Sequence, residues 1–285
     1  MEYSLVKMSA SGNKFLIAGF PETSVPKKNP SCLLKTKKQY PDFLNLTNFT
    51  LKDRKDFLKS LQNKDMEGLA VLKKSSLYAF ECEFYNRDGS PAEMCGNLSC
   101  CLTLYALETG LAKEETFNFM VGKEKVTAFK HLGKYWAGIT KPAPVKSGFS
   151  IQFQETVIPY HFICPGVPHG VVEWKQDLNP SLLLPLALEL RHKNPVQENA
   201  GLNVTFFSIQ KEHSLKAITF ERGVENWTKA CGTGALAAAL VYSQIHSFSN
   251  QNIISVEMPG GVLEILTDPS LALFSRPQWS YTEPV

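Results

Sequence analysis

Several things are missing from this chain. No apolar run approaches the roughly 18 residues of a membrane span. The stretch from Met1 to Phe15 lacks the charged start, apolar middle and small-residue cleavage site of a secretory leader. Charge of one sign is missing too: 30 Lys and Arg face 27 Asp and Glu, a formal +3, which is too weak to argue for nucleic acid. The 7 cysteines are odd in number and irregularly spaced, so they do not write a disulfide framework. Zinc-ligand spacing is absent around Cys95, Cys100 and Cys101, and no paired histidines answer them. These absences predict a cytoplasmic globular protein with reduced thiols, no metal, no nucleic-acid partner and no membrane. Cys32, Cys82, Cys100, Cys101 and Cys164 then read as small core or surface residues.

What is present is enough apolar residue for a core and, at 285 residues, a length that fits one large domain or two of ordinary size. Short strands are expected at Ser4 to Met8 and Phe15 to Phe20, flanking a turn at Ala10 to Asn13. From Pro21 to Lys64 the chain is rich in Lys and Pro and poor in aromatics, which suits a solvated face better than a nucleic-acid patch. Leu51 to Leu61 suggests a surface helix. Gly68 to Leu72 and Leu77 to Tyr85 read as strands, the second alternating through Tyr78, Phe80, Cys82 and Phe84. Leu98 to Glu108 is apolar on nearly all sides, as a buried helix is, and Gly110 suits its C-terminal cap. Strands follow near Thr116 to Met120, Lys125 to Lys130 and Trp136 to Ile139, and Pro142 to Pro144 breaks the pattern. His161 to Cys164 and Gly170 to Trp174 flank a turn at Pro165 to His169. Pro180 to His192 reads as a helix that Pro185 interrupts. Leu202 to Ile209 and Leu215 to Phe220 are strands, Ala235 to Ile245 is a second buried helix, and Ile253 to Met258 with Val262 to Leu266 form a hairpin.

The order of pieces repeats. A glycine turn comes first (Gly12 and Asn13, then Gly166 and Val167). A strand opening on glycine comes second (Gly68, then Gly201). Each half then runs strand, polar turn, Cys-Gly and buried helix. The first copy carries Asn86, Cys95, Gly96 and Asn97; the second carries Glu221, Arg222, Cys231, Gly232 and Thr233. Duplication predicts an α+β protein of two pseudo-symmetric domains. Each is a mostly antiparallel sheet curled around a central buried helix, with the site in the cleft between them. The boundaries expected are residues 1–120 plus 268–285 for the domain of Cys95, and 121–267 for that of Cys231.

A helix N-terminus presents unpaired N–H groups and the positive end of the helix dipole. It binds a carboxylate and should lower a thiol's pKa. Asn97 and Thr233 fall where helix caps are preferred. Each motif can thus supply a reactive sulfur and a carboxylate cradle. Two facing motifs would put one sulfur on each side of a carbon, the geometry for removing a proton from one face and returning one to the other. Against this, either cysteine alone could be an ordinary residue before a helix. Gly232 to Gly234 superficially matches a dinucleotide fingerprint, but polar residues separate it from the preceding strand.

These motifs resemble those of diaminopimelate epimerase, a cofactor-independent amino-acid epimerase family. The matching stretches are Met8 to Phe15, Asn86 to Asn97, Gly201 to Val204, Glu221 to Gly234 and Met258 to Gly261. The resemblance implies Cys95 and Cys231 as the acid/base pair, with Gly96, Asn97, Gly232 and Thr233 on the reacting carboxylate. It puts His169 and Glu221 beside the reacting amino group, and Asn13, Asn86, Asn203 and Arg222 along the rest of the pocket. Arg222 suits a second carboxylate because its planar fork binds one bidentately. A small amino-acid substrate is implied, with no pyridoxal phosphate, other cofactor or metal, and a homodimer is left open. The implied reaction is epimerisation of LL-2,6-diaminopimelate to the meso form, a step toward lysine and peptidoglycan precursors. Val167 replaces the family's usual asparagine before Pro-His, and Leu98 to Cys101 departs from the pattern after Cys-Gly-Asn. A racemase of another amino acid, histidine or a basic residue, stays open, as does a non-catalytic amino-acid-binding or redox protein on the same scaffold.

Overall fold

The computed structural model describes residues 4–19, 33–34, 50–60, 66–92, 94–138, 144–193, 201–246, 253–267, 272–275 and 277–279. Cys32 and most of the Pro21 to Lys64 stretch lie outside them. The chain divides into two compact units, Met1–Gly138 with Arg276–Val285, and Ile139–Ser275.

In the first unit, β1 (Ser4–Ala10), β2 (Asn13–Gly19), β3 (Leu33–Leu34), α1 (Leu51–Ser60), β4 (Met66–Lys73), β5 (Glu81–Asn86) and β6 (Pro91–Ala92) lead to the helix α2 (Gly96–Glu108). The strands β7 (Phe117–Val121), β8 (Glu124–His131) and β9 (Lys134–Gly138) follow. In the second unit, β10 (Lys146–Phe153), β11 (Thr156–Ile163), β12 (His169–Glu173), α3 (Pro180–His192), β13 (Asn203–Lys211), β14 (Ser214–Glu221) and β15 (Asn226–Trp227) lead to α4 (Gly232–Ile245). Then come β16 (Ile253–Met258), β17 (Gly261–Leu266) and β18 (Ala272–Ser275), and β19 (Pro277–Trp279) belongs again to the first unit.

Apart from β3, which pairs with β1 and has no counterpart among the described residues of the second unit, the strand pairings of the two units correspond. In the first unit β1 pairs antiparallel with β2, β2 parallel with β4, β4 antiparallel with β5, β5 parallel with β7, and β7 to β9 run as a meander. In the second, β11, β12, β13, β14, β16, β17 and β18 repeat that sequence of pairings. The short β6 and β15 hang on β5 and β14 alike. β19 covers the outer edge of β1 as β10 covers that of β11. The parallel joins occur where a helix crosses over, α1 and α2 in the first copy, α3 and α4 in the second. Each unit is therefore a mixed, mostly antiparallel sheet of the α+β class.

Each sheet curls around its second helix. α2 touches both β1 and β9, which stand toward opposite ends of the strand order, and α4 touches β12, β13, β14, β16 and β17. Composition permits the wrap. Ala235, Ala237, Ala238 and Ala239 of α4 are fully buried, and short side chains let strands approach on every side. The buried hydroxyls of Ser99 and Thr103 in α2, and of Thr109 at its C-cap, donate to the carbonyls of Cys95, Ser99 and Tyr105, so these three polar side chains turn inward with their hydrogen bonds made. No helix among the described residues is long and apolar enough to cross a membrane.

Some expectations are corrected. The expected boundary between residues 120 and 121 would cut β7, and β8 and β9 continue that sheet. The expected boundary at 267 would separate β18 from its partner β17. Helix α3 runs through Pro185. Pro185 is on the exposed side, where water can serve the carbonyl whose N–H partner is lost. The strand expected from Leu77 begins at Glu81, residues 75–78 being turned back by the Ser75 hydroxyl, which accepts from the Leu77 and Tyr78 N–H groups. Both central helices start earlier than expected, at Gly96 and Gly232, so their N-caps are Cys95 and Cys231 and not Asn97 and Thr233.

Candidate active site

Sheet register gathers the candidate residues at equivalent ends of the two sheets. In the first unit a hairpin joins β1 to β2 through Ser11 and Gly12, with φ of 48° and 79°, the positive pair that a tight two-residue turn demands. That places Asn13 at the start of β2. Phe15 lies beside Gly68, and Gly68 opposite Asn86, so Asn86 ends β5 at the same edge. Asn86 is exposed and its Nδ2 donates to Ser90 at 3.2 Å. The chain then reaches Cys95, half-buried, and enters α2 through Gly96. Asn97, 1% exposed, has neither Oδ1 nor Nδ2 hydrogen-bonded. An amide buried with both polar atoms unmet is costly, and here it stands in the first turn of a helix, where backbone N–H groups also lack partners.

The second unit repeats the arrangement with more polar groups. His169 opens β12 beside Asn203 of β13, and Glu221 closes β14. Hydrogen bonds join most of the predicted residues. Asn203 Oδ1 accepts from the Arg222 N–H at 2.8 Å, and Asn203 Nδ2 lies 3.3 Å from His169 Nε2. The same Nε2 lies 3.0 Å from the Thr233 hydroxyl, which lies 3.3 Å from Cys231 Sγ. The Gly234 N–H donates to that sulfur at 3.3 Å, and Glu221 accepts from the Thr228 hydroxyl. Gly166 of the turn before His169 faces the Thr233 methyl, so the Val167 departure lies in the turn that borders Thr233.

Electrostatics separates these groups. Burial draws the fully enclosed His169 imidazole down to about 3, and the Arg222 guanidinium pushes the same way, so the ring is neutral. Cys231 goes against the sequence expectation. Burial pushes its thiol well above the ordinary range and the Glu221 carboxylate adds to that, while the Thr233 hydroxyl and the Gly234 N–H pull less strongly the other way. The helix terminus is there, but desolvation of a thiolate outweighs a screened half-charge. Cys82 and Cys101 are buried core thiols, likewise raised by burial.

Behind these residues stand polar groups that the sequence motifs do not include. Thr205 and Thr219 are fully buried, Thr205 Oγ1 lying 3.0 Å from both His169 Nδ1 and Thr219 Oγ1. Their signal was available: each is a polar residue between large apolar neighbours inside a strand. Arg191, at the end of α3, donates to Glu225 at 2.7 Å, and the same carboxylate oxygen accepts from the Gly223 N–H at 2.9 Å. The turn carrying Arg222 is thereby tied to the crossover helix. Nothing in the sequence linked residues so far apart.

Known proteins can be set beside this geometry. Residues 163–270 match the family model described as diaminopimelate epimerase. A diaminopimelate epimerase of Helicobacter pylori is 34% identical over 220 residues, covering 72% of this chain and 77% of its own. One from Thermotoga maritima is 30% identical over 258 residues, 90% of each chain. The chain belongs to the diaminopimelate epimerase family. As a member it is an isomerase, an amino-acid epimerase by class. Among solved structures, a hydroxyproline epimerase of Agrobacterium vitis matches with a TM-score of 0.62 at 16% identity, covering 98% of this chain and 91% of that one. A PhzF-family protein of Bacillus anthracis matches with 0.62 at 11% identity over 98% and 97%. At such identity these two establish the fold alone.

Proposed function

We propose that this protein interconverts LL-2,6-diaminopimelate and meso-diaminopimelate in the cytoplasm, without pyridoxal phosphate or metal, for lysine and peptidoglycan precursors. One thiolate takes the α-hydrogen as a proton. The C–H electron pair passes into the carboxylate, and the thiol on the opposite face gives its proton to the carbon. The sulfurs exchange protonation state and the centre is inverted. Cys95 and Cys231 are the pair. Gly96, Asn97, Gly232 and Thr233 take the carboxylate, whose growing negative charge the helix N-termini favour. Neutral His169 and the Glu221 carboxylate accept from the α-ammonium. Asn13, Asn86, Asn203 and Arg222 serve the distal end, Arg222 facing its carboxylate.

The observation that carries this reading is the duplication itself: each copy places a cysteine at the N-cap position of a buried helix. The unmet polar atoms of Asn97 support a ligand at that helix end. The raised pKa of Cys231 supports a resting state in which that sulfur keeps its proton.

Val167, apolar where the family usually has asparagine, favours a second reading, a racemase of histidine or a basic amino acid. A panel of amino acids incubated in deuterium oxide separates the two. Diaminopimelate should gain α-deuterium, and Cys95→Ala or Cys231→Ala should slow inversion by about 10²–10⁴-fold, the usual worth of a positioned proton-transfer group. Label in histidine or lysine but not in diaminopimelate would remove the first reading. Continued α-exchange in the double variant would remove the two-thiol mechanism.

A further inference from the structure

The hydrogen bonds around His169 fix more than its position. A backbone N–H can only donate, so the Asn203 atom facing the Arg222 N–H at 2.8 Å is the amide oxygen. The other amide atom is then the NH2, which can only donate, and it faces His169 Nε2 at 3.3 Å. Nε2 therefore carries a lone pair. The ring proton of this neutral imidazole sits on Nδ1 and is donated to Thr205 Oγ1 at 3.0 Å. Having accepted there, the Thr205 hydroxyl turns its own hydrogen to Thr219 Oγ1 at 3.0 Å. The Thr233 hydroxyl, 3.0 Å from Nε2, completes the chain as a donor to the lone pair.

We propose that Thr205, backed by Thr219, is a positioning residue that holds His169 as a hydrogen-bond acceptor at Nε2, and so selects a ligand bearing a protonated amine beside its carboxylate. This rests on the proposed function for the ligand's orientation. Without ligand the Thr233 hydroxyl at 3.0 Å shares the lone pair with the Asn203 NH2 at 3.3 Å. A carboxylate at the N-terminus of α4 draws that hydroxyl to itself, and the adjacent ammonium takes its place at Nε2. With the opposite tautomer two donors would meet there. An α-keto acid of the same shape has no hydrogen to offer and should compete poorly.

The test begins with the substrate-free wild type. Nitrogen-15 NMR, with the His169 signals assigned by comparison with His169→Gln, should show a protonated Nδ1 and an unprotonated Nε2. Thr205→Val removes the acceptor and should shift the ring to mixed or reversed tautomers, raising KM by about 10–100-fold, the same order as losing the orienting partner of a metal-bound histidine, with a smaller change in kcat. Thr205→Ser keeps the hydroxyl and should restore both the tautomer and KM. A proton on Nε2 in the wild type overturns the proposal, as does an unchanged tautomer and KM in Thr205→Val. Because the tautomer is read without substrate, failure here is separate from failure of diaminopimelate to label.

Discussion

At the scale of single residues, burial decides which groups carry charge. His169 is drawn from 6.5 to about 3. Above 6.5 the ring is neutral both folded and unfolded, and its contribution to stability is fully present. As pH falls below 6.5 the unfolded chain binds a proton that the folded one refuses until about 3, so stability is lost across that window. At 1.36 kcal/mol per pKa unit the loss is on the order of 4–5 kcal/mol. Urea midpoints measured against pH should therefore fall more steeply for the wild type than for His169→Gln over the same range. Parallel curves would show that the ring is not held neutral. The candidate cysteines stand out in the sequence because the order of strand, polar turn, Cys-Gly and buried helix repeats. The protonation of Cys231 does not, because a sequence shows a helix terminus but not the depth at which it is buried.

At the scale of elements, α4 is fitted to its sheet at one atom's clearance. A Cβ on Gly234 would stand 2.3 Å from Thr219 Oγ1 and 3.1 Å from Thr205 Oγ1. Gly234→Ala must push the helix start away from the strands or turn both hydroxyls, at a cost of about 1–3 kcal/mol. The displacement reaches the sulfur, since the Gly234 N–H donates to Cys231. Calorimetry should show a lower Tm, and turnover should fall by more than the stability loss explains. A variant as stable and as active as the wild type would contradict the packing. Elements with strong pattern were legible: the alternation of β5 and the all-apolar faces of α2 and α4 both mark burial. β10 was not, because most of it is exposed and its register shifts between Lys146 and Phe149, beside Gly148 at φ 87°, which erases the alternation. The two-residue strands β6 and β15 are too short to carry a period at all.

At the scale of the whole molecule, the chain leaves the first unit at Gly138, builds the second, and returns. The duplication was legible because order survives when sequence diverges. The boundaries were not, because a meander such as β7 to β9 looks alike whichever unit owns it. The return has a consequence. β19 covers β1 by pairing Met8 with Trp279, Ser9 with Gln278 and Ala10 with Pro277. Those residues lead directly into the hairpin that sets Asn13. Ending the chain after Ser275 would leave that end of β1 as an open edge, while β10 to β18 keep their partners. Hydrogen exchange on the shortened protein should show protection falling in β1 and at the Ser11–Gly12 turn, with the amides of β12 to β14 unchanged. Diaminopimelate turnover should weaken through the half that carries Cys95, while the His169 tautomer, set inside the other unit, stays as it was. Equal loss of protection in both units would mean that β19 supports the two together and not the first alone.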